Sequence, residues 1–358
     1  MLCNGRARSL GVSSWRDGRP VSLGLQSESE PTIIMSGPND ECASFAMLAY
    51  LNSRTLTAIH AKIQHVHDWL DLICGNTNTP AAFTSLKTLS LNIANVDYSD
   101  EWAGIEGVIM FPNLSTLEVT GAYQFADDML FRGNSSTIRY LHLPFKKIAA
   151  NVLEKVGVLE CMGVAQMKQI RFGDSAEADK EVIARNGWEH ITRQLPLILN
   201  MTTSLQLSGD GPTYEVYKSM VTMRVETGIQ HLDVRNLVYR HDHVIRVIRA
   251  LPNLVSFTAE VAHVESHGDV TERYKSPSDL YKRYYPVGSN FRVLCVPLMT
   301  EFSGCQIAEE VVRIAIVCQN LVQVHVPPRD RSMFKRAVLW AIDSNGFAPY
   351  ADSLRHLL

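Results

Sequence analysis

From Leu56 onward one short pattern recurs: an apolar residue, two variable ones, an apolar residue, one variable, then an apolar residue. It reads Leu56/Ile59/Ala61, Leu86/Leu89/Leu91, Leu114/Leu117/Val119, Ile138/Leu141/Leu143 and Met167/Ile170/Phe172. It continues as Thr202/Leu205/Leu207, Ile229/Leu232/Val234, Leu254/Phe257/Ala259, Phe291/Leu294/Val296 and Leu321/Val324/Val326. A last half-repeat, SLRHLL, starts its pattern at Leu354. First positions advance by 24 to 37 residues, about 30 on average. One such match carries no information, because ordinary amphipathic segments contain it. A succession of them at a near-constant step restricts the chain to architectures that repeat.

In a strand, side chains alternate, so the fourth and sixth positions of each repeat point the same way and the third and fifth point oppositely. This is the leucine-rich-repeat signature, in which strands stack into a parallel sheet and neighbours bury an apolar row that one repeat cannot bury alone. The connecting segments support it. HVHDWLDLICGN carries Val66, Trp69, Leu70 and Ile73 at helical spacing and ends near Gly75. Ile148–Leu159, Thr213–Val225, His243–Leu251 and Ala308–Val317 read similarly, the third with Val244, Val247, Ile248 and Leu251 on one stripe. Phe111-Pro-Asn-Leu114 and Leu251-Pro-Asn-Leu254 are near copies that turn the chain into the next strand. Ile33–Ile34, followed by a helical Glu41–Leu51, reads as a degenerate opening repeat. An ordinary doubly wound sheet would vary its crossovers more freely and would not reproduce the Pro-Asn turn. The expected fold is an α/β leucine-rich-repeat solenoid (horseshoe), with parallel strands on the concave face and helices on the convex face.

Length alone, 358 residues, suggests two domains. The repeat instead predicts a poorly ordered leader, 1–32, and a single solenoid over 33–358 of about ten to eleven irregular repeats, with an insertion at 263–287. The leader is rich in Arg, Ser and Gly, without the apolar core of a secretory signal, and Met35 is a possible working start. The closing half-repeat lacks a polar cap, so a partner or a second copy is expected to cover it. Val311–Val326 is broken by Arg313, Gln319 and Asn320 and is no membrane span. Seven scattered cysteines without a CxxC fit a reducing compartment, cytoplasmic or nuclear. The net charge of −3 argues against a chain-wide nucleic-acid grip.

Residues 111–144, FPNLSTLEVTGAYQFADDMLFRGNSSTIRYLHLP, resemble the repeats of fungal leucine-rich-repeat proteins of the F-box/LRR type. The resemblance spans about 50–358, and its specific part is the block from Tyr123 to Leu143. It implies a protein-recognition surface and, where an F-box precedes the repeats, docking to the adaptor subunit of a cullin-based ubiquitin ligase. No F-box is recognisable in 1–35, and 40–52 holds only one short helix.

Catalytic signatures are missing: no P-loop, dinucleotide-binding glycines, zincin motif or nucleophile elbow occurs. His65-Val-His67-Asp68 and His241-Asp-His243 pair histidines two apart, which diverge by about 200° on a helix and read as turns or caps. Asp127–Asp128 reads as the acidic start of a helical turn. The sequons at Asn113, Asn134 and Asn200 read as chance matches. No cofactor, metal, nucleic acid, membrane or small-molecule substrate is expected.

Function then rests on the outward positions, which are polar and carry Tyr, Arg and His, types that anchor interfaces. Tyr140, His142, Arg171, His231 and Arg235 are the expected centre of a protein-binding face. The expected function is a non-enzymatic recognition scaffold and a substrate-receptor relative in a cullin-type ligase. The alternative is a regulator of a small GTPase, with Arg132 as its exposed arginine.

Overall fold

The computed structural model describes residues 32–35, 46–93, 110–121, 137–143, 167–172, 184–208, 212–222, 227–261, 277–297, 304–350 and 354, except 64–65, 76, 78, 319 and 345–346. The chain divides into two compact units, Met1–Asp179 and Lys180–Leu358. The expected helix Ile148–Leu159, the leader, Arg132, Asp127–Asp128, Asn134 and most of the 263–287 segment lie outside the described residues.

The first unit contains β1 (Thr32–Met35), β2 (Ala58–Ile63), β3 (Thr88–Ile93), β4 (Thr116–Gly121), β5 (Tyr140–Leu143) and β6 (Met167–Phe172). They pair in chain order and in parallel. Between β2 and β3 runs α1 (Val66–Cys74), which buries Leu72 and Ile73. It stops at Gly75, whose φ of +57° suits glycine, and where a Cβ would meet the Tyr50 ring at 2.8 Å.

The second unit alternates strand and helix: α2 (Ala184–Met201), β7 (Thr202–Leu207), α3 (Thr213–Thr222), β8 (His231–Tyr239), α4 (His241–Ala250) and β9 (Ser256–Val261). It continues with α5 (Pro277–Tyr284), β10 (Val293–Cys295), α6 (Gly304–Ala315), β11 (Gln323–His325) and α7 (Arg331–Ser344). Here too the strands pair in chain order, all parallel. Helices α2, α3, α4, α6 and α7 follow one another as packed neighbours in a second layer. Within each unit the order never reverses. There is no switch point of the kind that opens a ligand crevice in a doubly wound sheet.

Register joins equivalent repeat positions. Ile33, Ile59, Leu89, Leu117, Leu141 and Ile170 are successive partners in the first unit. Leu205, Leu232, Phe257, Leu294 and Val324 are successive partners in the second. From Ile59 to Leu294 these side chains are at most 2% exposed, so each repeat closes the core of its neighbour. The Thr that replaces Leu at 202 is also buried, because its hydroxyl donates to the Ser204 carbonyl (2.9 Å) and accepts the Ser204 N–H (3.2 Å).

The Pro-Asn turns do more than reverse the chain. The Nδ2 of Asn113, Asn253, Asn290 and Asn320 donates to the carbonyl of Thr84, Thr227, Pro252 and Ser289, at 2.6–3.1 Å. Each bond ties one strand's lead-in turn to the preceding one, satisfying carbonyls that the strand ladder does not reach. The Asn113 amide is committed to this ladder and not presented to solvent for sugar attachment.

Two elements differ from expectation. The long step after Met167 includes α2, an 18-residue helix that runs through Pro196, a residue unable to donate to the preceding turn. The aromatic end of the segment read as an insertion forms α5, which buries Leu280 and Tyr284. Its C-terminal side is then tied in by the Val287 N–H, which donates to the Val317 carbonyl at 3.0 Å.

Candidate functional site

Period-two alternation places the third and fifth residues of each repeat opposite the core, and the described ones are exposed or half-buried, except Ala58 and His142. In the first unit register aligns five of them in one row, His60, Ser90, Glu118, His142 and Arg171. Glu118 sits at its centre. Its Oε2 accepts from Ser90 Oγ at 3.0 Å, and its Oε1 lies 3.0 Å from His142 Nδ1. Burial by itself would raise the Glu118 pKa. The hydrogen bonds from His142 and Ser90, with the charges of His142 and Arg171, outweigh that and hold it below the ordinary carboxylate value.

His142 is therefore not the free contact residue that its position suggested. It is 9% exposed, and its ring is spent on Glu118. Tyr140, by contrast, is 41% exposed. It lies in the neighbouring row, opposite Gln169 and diagonal to Arg171. Arg171 is half-buried, and its Nε is shut off from solvent without a hydrogen-bond partner.

The other two expected residues lie in the second unit. His231 is exposed and its Nδ1 is 2.8 Å from Ser256 Oγ. Arg235 was expected to continue the strand's alternation. Instead it begins a bulge: pairing runs through Val234 with Ala259 and resumes at Val238 with Glu260, leaving residues 235–237 unpaired with β9. The Arg235 N–H and Nε both donate to Asp233 Oδ1, and Nη2 donates to Oδ2. That bidentate clamp raises the Arg235 pKa. Tyr140, His142 and Arg171 thus form one cluster and His231 with Arg235 another.

Among the described residues no group of three or more His, Cys, Asp or Glu is arranged to hold a metal ion. His241-Asp-His243 shows why. His241 bonds the buried Glu310, Asp242 pairs with Arg240 at 3.2 Å, and the His243 ring lies 4.2 Å from that of Tyr217. Nor is a described thiol activated: burial raises the pKa of Cys74, Cys295 and Cys318, the last pushed up to about 12. No helix among the described residues is long and apolar enough to cross a membrane.

His243 carries a pH signature. Burial, helped by Arg240, Arg246 and His241, lowers its pKa from 6.5 against the opposing pull of Asp242. The unfolded chain thus binds the proton more readily, so this contribution to stability is complete above about pH 6.5 and is lost as pH falls through the folded-state value. The melting temperature of the wild-type chain is expected to fall on acidification below that point. His243→Phe, which keeps a ring against Tyr217, should fall less; equal slopes would exclude this histidine as the source.

No protein-family model and no curated protein matches the sequence. Among solved structures, the chain is similar to the leucine-rich-repeat-containing protein LegL7 from Legionella pneumophila, at 13% identity and a TM-score of 0.44, over 86% of this chain and 96% of that one.

Proposed function

We propose that this chain is a non-enzymatic recognition scaffold that binds a protein partner on the outward faces of its strands. The supporting observation is the set of polar rows that register aligns across adjacent strands, above all the row from His60 to Arg171. Side chains on such a row are held by the ladder beneath, so a partner meets a preorganised surface and little ordering entropy opposes binding. The finer reading is a substrate receptor in a cullin-type ubiquitin ligase. It draws on the likeness of residues 111–144 to repeats of F-box/LRR proteins.

The test replaces Tyr140, His142, Arg171, His231 and Arg235 by alanine together and compares the proteins captured from source-organism lysate by this variant and by the wild type. Loss of the wild-type partners, with the melting temperature of the variant kept, is the expected result. An unchanged set of partners would remove the outward face from recognition. The cullin adaptor, which an F-box would bind away from the sheet, should appear with both chains. Its absence from both would end the ligase reading.

A further inference from the structure

We propose that the outward face of the first unit takes an extended acidic segment of the partner, with Arg171 and Tyr140 at the centre of contact. This rests on the recognition reading and names the chemistry of what that face receives.

Charge is distributed unevenly between the strands of the two units. The strands of the first unit with their lead-in residues (56–63, 86–93, 114–121, 138–143 and 167–172) hold five cations, Lys62, Lys87, Arg139, Lys168 and Arg171, against one carboxylate, Glu118. The matching stretches of the second unit balance, Arg235 and Arg292 against Asp233 and Glu260. A chain of net charge −3 therefore concentrates positive charge on the strands of one unit. Like charges held on adjacent strands are destabilising in isolation, and an anionic ligand relieves them.

Within this field Arg171 is the cation most in need of an acceptor. The one carboxylate on the face is Glu118, and it already serves Ser90 with one oxygen and His142 with the other. Arg171 feels its charge without a hydrogen bond to it, and the Arg171 Nε is buried and unsatisfied. The planar guanidinium fork matches a carboxylate with two parallel hydrogen bonds. Tyr140, diagonal to it on the next strand and exposed, offers a ring for the aliphatic part of the incoming residue. A peptide fits better than single-stranded nucleic acid. Nucleic acid needs several aromatic stacking platforms, whereas Tyr140 is the one exposed aromatic among the described outward positions of this unit, and Glu118 lies in the middle of the row.

The experiment measures fluorescence anisotropy of three labelled probes against the full chain: a short peptide alternating Glu and Ser, its Lys and Ser counterpart, and an oligothymidylate of equal length. The acidic peptide is expected to bind best. Arg171→Glu, and separately Lys62→Glu on the exposed end of β2, should each weaken it by about tenfold. Arg171→Lys should weaken it less than Arg171→Glu, and Arg235→Glu in the second unit should leave it unchanged. Melting curves check that each variant folds, and Arg171→Gln supplies a milder replacement. Equal binding by wild type and both Arg171→Glu and Arg171→Gln, an equal loss in Arg235→Glu, or tighter binding of the oligothymidylate would each overturn the assignment. If the acidic peptide fails while the five-alanine variant still loses its captured partners, recognition by the outward face stands and its acidic specificity does not.

Discussion

Glu310→Ala is expected to lower the stability of the second unit by about 3 kcal/mol, because it strands two buried donors at once, each worth about 1–3 kcal/mol. Glu310 lies on α6 and is 2% exposed. Its Oε2 accepts the backbone N–H of His241 at 2.8 Å and the ring Nδ1 of the same residue at 2.7 Å. His241 is the first residue of α4, and the leading N–H groups of a helix have no acceptor within it. The preceding residue usually supplies one from a short polar side chain. Here that residue is Arg240, which makes no such bond, so the cap arrives from a helix 69 positions further on. Glu310→Gln keeps an acceptor oxygen and the side-chain volume, and should cost less than half as much. Denaturation midpoints of the two variants would measure the difference. An Alanine variant as stable as wild type would mean that water replaces the carboxylate without cost.

The same helix start shows where sequence reading reaches its limit. The stripe of Val244, Val247, Ile248 and Leu251 could be read from helical period, and all four are buried. The cap could not, because no local residue signals it. Repeat positions were legible for a related reason: parallel register between equivalent residues turns a linear spacing into a row in space. Leu89, Leu117 and Leu141 meet because their offsets are constant. Outward polar contacts obey no such rule. That His142 would be spent on Glu118, 24 residues earlier, depends on two side chains whose spacing carries no pattern. The bulge that displaces Arg235 was hidden similarly, since Val234 and Val238 each look like regular strand positions until the partner strand is laid beside them. Pro196 concealed α2, because proline inside a helical stretch ordinarily marks its end.

Phe257→Ala should have the larger effect, about 4 kcal/mol, through the cavity that it leaves. The side chain is wholly buried, between Leu232 and Leu294 in the register row, and its ring centroid is 6.0 Å from that of Tyr239. In a single-core domain such a loss would spread over the whole fold. In a stack of repeats each one is closed by its neighbours, so the loss falls first on the two interfaces that Phe257 completes. Hydrogen exchange should therefore quicken most at the amides of β8, β9 and β10, with less change in α2 and β7. Phe257→Leu fills most of the volume and should cost about 1 kcal/mol. Uniform loss of protection from β7 through β11 would show that the strands of this unit open together. The cooperative element would then be the whole unit, and the repeat would be a rule of sequence without being a unit of stability.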